Sequence, residues 1–166
     1  MNLGEDTKDQ VTIAVWVPGA PAIAYQLFVE RFGDWWPPEY TFCGEALKHI
    51  GIEPTDGGRC YEVATDGREM VWGKVLLAEA PQALVFRWLI TPDRQIENDP
   101  NRGSEVAVAF QPDGGDTHVL LVHSELSRHG DGWTRYRDEM ASEQGWPYCL
   151  EHFRAAAGGR LAEQPV

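Results

Sequence analysis

The stretch from Gly57 to Trp88 constrains the fold more than any other part of the chain. Strand-like runs cover about Arg59 to Thr65, Glu69 to Ala78 and Ala83 to Ile90, with turn residues between them. Alternation of apolar and polar side chains is the mark of a strand with one buried face. Asp66-Gly67 suits the positive φ angles of a two-residue hairpin. Pro81, in Ala80-Pro81-Gln82, closes the middle run because proline has no N–H to give to a ladder. These strands form a meander, and its apolar face needs a cover.

The flanking sequence supplies more strands and the cover. Val11, Ile13, Val15 and Val17 alternate with Thr12, Ala14 and Trp16, which predicts a first strand. Pro18-Gly19-Ala20-Pro21 stops it, and Pro21 suits the first position of a helix in which Ile23, Leu27 and either Phe28 or Arg31 follow at helical spacing. That helix ends near Phe32-Gly33, and Trp35-Trp36-Pro37-Pro38 is a loop or short turn. Ala46 to Glu53 reads as a second strand. Thr91 to Arg102, rich in Asp, Asn, Pro and Arg, is a loop long enough to serve as a lid. Ser104 to Phe110 and Thr117 to Leu126 form a hairpin around Pro112-Asp113-Gly114-Gly115. Trp133, Tyr136 and Met140 then share a helical face. After Gly145, Pro147 opens a last helix with Trp146, Leu150, Phe153 and Ala157 on its apolar side, ended by Gly158-Gly159. The order predicts an α+β domain, a curved antiparallel sheet of about seven strands around a long C-terminal helix. Its expected span is 11–158, with flexible ends at 1–10 and 159–166.

Charge narrows the function classes. Only 14 Lys and Arg face 26 Asp and Glu, a formal net charge of -12. Nucleic acid and anionic membrane surfaces both demand basic patches, so neither is an expected partner. No apolar run approaches the roughly 20 residues of a membrane span, and the polar start Met1 to Gln10 lacks the apolar segment of a secretory signal. Cys43, Cys60 and Cys149 have no CxxC spacing and make no disulfide framework. A cytoplasmic protein is the expectation.

Several ordered segments resemble one family. They are Phe32-Gly33-Asp34-Trp35-Trp36-Pro37-Pro38, Gly57-Gly58-Arg59 with Tyr61-Glu62, and Trp72-Gly73-Lys74-Val75 followed by Pro81 and Leu84-Val85-Phe86-Arg87-Trp88. Gly115-Asp116-Thr117 with Val119, Leu121 and His123, and then Gly145-Trp146, complete the set. Together they resemble the SRPBCC or START-like superfamily, in the branch of the activator of heat-shock-protein ATPase. The resemblance covers about Val11 to Ala157 and implies a helix-grip fold with a hydrophobic cavity between sheet and C-terminal helix. The eukaryotic activators carry an additional N-terminal domain for which this sequence leaves no room, so the activator role is not expected to carry over.

Seven tryptophans are more than a small core needs. In a helix-grip fold Trp35, Trp36 and Tyr40 would stand near the cavity mouth, and Trp72, Phe86, Trp88, Trp146 and Phe153 would line sheet and helix. Such rings either hold a flat apolar ligand or simply pack the core. Period two carries His123 and Glu125 to the face of Val119 and Leu121, and puts Glu62 beside Cys60 and Ala64. Three readings follow. His123 could exchange protons with Glu62 or Glu125; these polar groups could anchor a ligand; or Glu62 could form a structural pair with Arg59 or Arg87. No HxxxH or HExxH spacing suggests a metal, no GxSxG suggests a nucleophile, and no motif implies a cofactor.

The expected function is therefore binding of a small lipophilic or aromatic molecule, by a monomer or homodimer. One rival is a cyclase or dehydratase that uses the same cavity, with His123 and Glu62 or Glu125 as acid and base. Another is a chaperone-accessory or protein-interaction module.

Overall fold

The computed structural model describes residues 9–162, with side chains as far as Gly158. Seven strands form one antiparallel sheet: β1 Val11–Pro18, β2 Leu47–Ile52, β3 Arg59–Ala64, β4 Glu69–Glu79, β5 Ala83–Trp88, β6 Ser104–Asp113 and β7 Asp116–Ser124. Their spatial order is β1-β7-β6-β5-β4-β3-β2, so every hairpin neighbour in sequence is a neighbour in the sheet and only β1 is carried across to β7. Three helices complete the fold: α1 Pro21–Tyr25, α2 Trp133–Ala141 and α3 Trp146–Ala162. This is the helix-grip arrangement, with α3 packed along β1 across the concave face.

Alternation fixes that face. Cys60, Glu62 and Ala64 of β3 are buried, as are Leu84, Phe86 and Trp88 of β5. So are Ser104, Val106, Val108 and Phe110 of β6, and Thr117, Val119, Leu121 and His123 of β7. A one-residue slip in any strand would turn its whole set to solvent. Against them pack Phe28, Phe32, Trp35 and Phe153, whose rings meet one another and Phe110 mostly edge to face, with centroids 4.8 to 6.4 Å apart.

Three local readings change. Asp66-Gly67 is not a two-residue hairpin. Only Gly67 has positive φ, and the Ala64 N–H donates to the Arg68 carbonyl at 2.8 Å across a three-residue loop. The two-residue turn with both φ values positive lies instead at Gly114-Gly115 (62° and 108°), where Asp113 pairs with Asp116. The first helix widens into a π-helical turn at Gln26–Glu30, which changes the residues that share a face. Tyr25, Leu27, Phe28 and Val29 are buried, and Ile23 is left exposed. At the other end α3 breaks at Gly158, and helix resumes to Ala162. The expected flexible ends lie mostly outside the described residues, but Asp9 is tied down. Its carbonyl accepts the Leu126 N–H at 3.1 Å, and its carboxylate accepts the Ser127 hydroxyl at 2.8 Å.

Candidate functional site

A cavity of about 570 Å³ opens between the end of β5, the segment after α1, and the α2–α3 junction. Its inner wall is aromatic and apolar: Trp36, Trp88, Tyr136, Met140, Trp146 and Cys149 are all buried and all line it. The rim is polar, with Glu39, Tyr40, Arg94, Glu139 and Gln144. Few polar groups around an apolar hollow of roughly 300–1,000 Å³ is the usual build of a small-molecule site.

Local structure explains how each wall is held. Trp88 ends β5 facing inward, and its indole N–H donates to the Tyr136 hydroxyl at 2.9 Å. That hydroxyl donates in turn to the Ile90 carbonyl at 2.7 Å. Burial pushes the Tyr136 phenol up to about 12, so it stays protonated. Trp36 donates to the Tyr40 carbonyl at 3.1 Å, and the Tyr40 hydroxyl to the Gln144 carbonyl at 2.7 Å, which ties the mouth to the helix junction. Nearby, Tyr148 donates to Glu39 and holds that carboxyl below its usual range. A Cβ at Gly145 would lie 2.2 Å from the Met140 carbonyl oxygen, so the junction passes too closely for any side chain there.

Behind the cavity wall runs a buried polar relay. The Trp146 indole can only donate, and it meets His123 Nδ1 at 3.0 Å. His123 therefore carries its proton on Nε2, which donates to Ser104 Oγ at 2.7 Å. Ser104 then donates to His129 Nε2 at 2.8 Å, leaving His129 Nδ1 protonated, buried and without a partner. Burial first, then the neighbouring His129, drives His123 down to about 3; burial also lowers His129, to about 4. Both rings are neutral at pH 7.

The proton-transfer pairs expected for His123 are absent. Glu62 is buried, but its two carboxylate oxygens accept the backbone N–H groups of Phe42 (3.0 Å) and Cys43 (2.9 Å). Neither expected arginine reaches Glu62: Arg59 pairs with Glu53 and Glu69, and Arg87 with Glu125. Glu125 leaves the inward face because β7 ends at Ser124 and Glu125 adopts a left-handed backbone, φ 60°. Its carboxylate accepts from Arg128 at 2.6 Å and Arg87 at 3.3 Å. Glu62 instead clamps the segment that contributes Thr41 and Phe42 to the cavity. Glu62→Gln replaces one acceptor oxygen by a donor and should cost about 1–3 kcal/mol. Chemical denaturation measures that loss, and faster alkylation of Cys43 would show that the segment has loosened.

Of the expected ligand-binding residues, Trp36, Tyr40, Trp88 and Trp146 line the cavity. Trp35, Phe86 and Phe153 are core residues instead. Trp35 turns the opposite way from Trp36, its indole donating to the Phe28 carbonyl at 3.3 Å and its ring packing on Phe153. Trp72 is buried between Trp36 and Trp88, with its indole N–H unpartnered. His123 is wholly buried against Trp88 and Trp146. Tyr136, Met140, Cys149 and Arg94 also line the cavity, and no sequence pattern marks them as site residues. Tyr136 and Met140 were legible as one helical face, and Arg94 as part of the 91–102 loop. Among the described residues no three His, Cys, Asp or Glu side chains are placed to share a metal ion. No described helix is long and apolar enough to cross a membrane.

Known proteins share this architecture. The anthrahydroquino-gamma-pyrone synthase Txn09 is 34% identical, over 87% of this chain and 94% of that one, with a TM-score of 0.61. The self-sacrificing resistance protein CalC of Micromonospora echinospora is 26% identical, covering 95% of this chain and 99% of that one, at a TM-score of 0.63. Protein NE0264 of Nitrosomonas europaea, 12% identical with a TM-score of 0.64 over 92% of this chain and 96% of its own, shares the fold. No curated protein matches the chain in sequence. The model of one family, "Activator of Hsp90 ATPase homolog 1-like protein", matches residues 27–158, and the chain belongs to that family.

Proposed function

We propose that this protein holds a small planar aromatic molecule in the cavity between β5, the loop after it and the α2–α3 junction. The observation that carries this reading is the wall itself. Three indoles and a phenol surround about 570 Å³, and each of the four makes a hydrogen bond that fixes its ring. Pre-oriented rings bind a flat ligand with little ordering cost. The similarity to a synthase named for an anthrahydroquino-gamma-pyrone, a fused-ring compound, agrees with that shape.

That same similarity favours a second reading, in which the bound molecule is converted. His123 would not be its acid or base, because it is sealed behind Trp146 with both ring nitrogens hydrogen-bonded inside the protein. The polar groups that line the cavity include Tyr136 and Cys149 on the wall and Glu39, Tyr40, Arg94 and Glu139 at the rim.

Native mass spectrometry of freshly purified protein, compared with its denatured mass, tests the binding reading. A non-covalent mass difference is expected, and incubating the released compound with fresh protein reveals turnover. A bare mass, together with no binding of fused-ring aromatics by calorimetry, would overturn it.

A further inference from the structure

We propose that Arg94 makes the cavity selective for aromatic ligands that carry an acidic oxygen, a carboxylate or a phenolate, at the rim. This rests on the binding reading above and names the ligand class more narrowly. The protein as a whole repels anions, with a formal net charge of -12. Arg59 and Arg87 are engaged by Glu53, Glu69 and Glu125 and do not line the cavity. Among the described lining residues Arg94 is the only cation.

Its placement is unusual for an arginine. Arg94 holds a left-handed backbone, φ 62°, a conformation disfavoured for any residue with a Cβ. A tight local turn maintains it. The Arg94 N–H donates to the Thr91 carbonyl at 2.9 Å, the Thr91 N–H to the Gln95 carbonyl at 2.8 Å, and the Gln95 N–H to the Thr91 hydroxyl at 3.0 Å. The guanidinium then lies 5.3 Å from the centre of the Tyr136 ring, on the cavity wall. Among the described residues its hydrogen bond to a carboxylate is a long one, 3.5 Å from Nη2 to Glu139, and the guanidinium also acts on the Tyr136 phenol. A guanidinium has five donors in a planar fork, so most of its capacity is left for a planar acid. The other rim carboxylate, Glu39, is bonded to Tyr148. A ligand acid would take the place of Glu139 and gain the second arm of the fork.

Calorimetric titration with anthracenecarboxylate, anthracenemethanol and aminomethylanthracene tests this, because the three share one ring system. The carboxylate should bind the wild-type protein about twofold to fivefold tighter than the alcohol, the scale of an ion pair to a guanidinium that is more than half exposed. R94Q should close most of that gap. R94K should keep only part of it, because an ammonium retains the charge and loses the fork. E139Q should strengthen carboxylate binding by releasing Arg94. Equal or tighter binding of the alcohol or the amine, or a gap that survives R94Q, would overturn the role of Arg94 alone. If none of the three binds, the cavity reading itself falls, and this inference with it.

Discussion

Lowering the pH from 7 to 5 is expected to remove about 4 kcal/mol of stability, some 2 kcal/mol for each of two buried histidines. Burial holds His123 at about 3 and His129 at about 4 in the fold, and both return to the ordinary value of 6.5 when the chain unfolds. Below pH 6.5 the unfolded chain therefore binds protons that the folded chain refuses. The stabilisation is fully present above that pH and is lost as pH falls toward the folded values. The contrast with a variant lacking both histidines isolates their part of the slope between pH 5 and 7. Urea denaturation across the window measures the slope. The His123→Gln/His129→Gln variant should flatten it whatever its absolute stability; an unchanged slope in that variant would remove the relay as its source.

Trp146→Ala is expected to cost about 3–5 kcal/mol and to abolish aromatic binding. The indole packs on Trp36 and Trp88, with centroids 5.9 and 5.7 Å away, and forms part of the cavity wall. It is also the donor that fixes His123. Trp146→Phe separates the two contributions, because it keeps a ring and removes the donor. His123 Nδ1 would then be a buried acceptor with no partner, worth about 1–3 kcal/mol. Phe153→Ala should also destabilise by several kcal/mol, yet leave binding by the folded fraction, because Phe153 does not line the cavity. Thermal denaturation and calorimetry on the three variants measure both quantities.

Much of the sheet was legible because burial alternates along β3, β5, β7 and most of β6, whereas β2 and β4 break the pattern at bulges. β3, β5 and β7 each bury every second residue, so their inward faces could be read residue by residue. The same rule failed one step past its range. Period two puts Glu125 beside His123, but the strand ends at Ser124 and a left-handed residue turns Glu125 to two arginines. No glycine marks that point. Trp35 and Trp36 show a second limit. Their neighbours in sequence treat them alike, and only the 3₁₀ turn at Phe32–Asp34 sends one into the core and the other to the cavity. Glu62 was legible as a buried charge, but its partners are backbone N–H groups, which every residue carries and no sequence pattern flags. Arg94 depends on a loop conformation fixed by Thr91 and Gln95, and Tyr136 on a helix docking across the sheet. Both are tertiary placements.

In the binding role proposed above, the cavity beside Trp36, Trp88 and Trp146 receives a planar aromatic molecule. Titrating anthracenemethanol into isotope-labelled protein while following the indole N–H signals by nuclear magnetic resonance tests it most directly. The signals of Trp36, Trp88 and Trp146 are expected to move in a saturable way, and those of exposed Trp16 and core Trp35 to hold still. Movement centred on Trp16, or no movement at saturating probe, would contradict it.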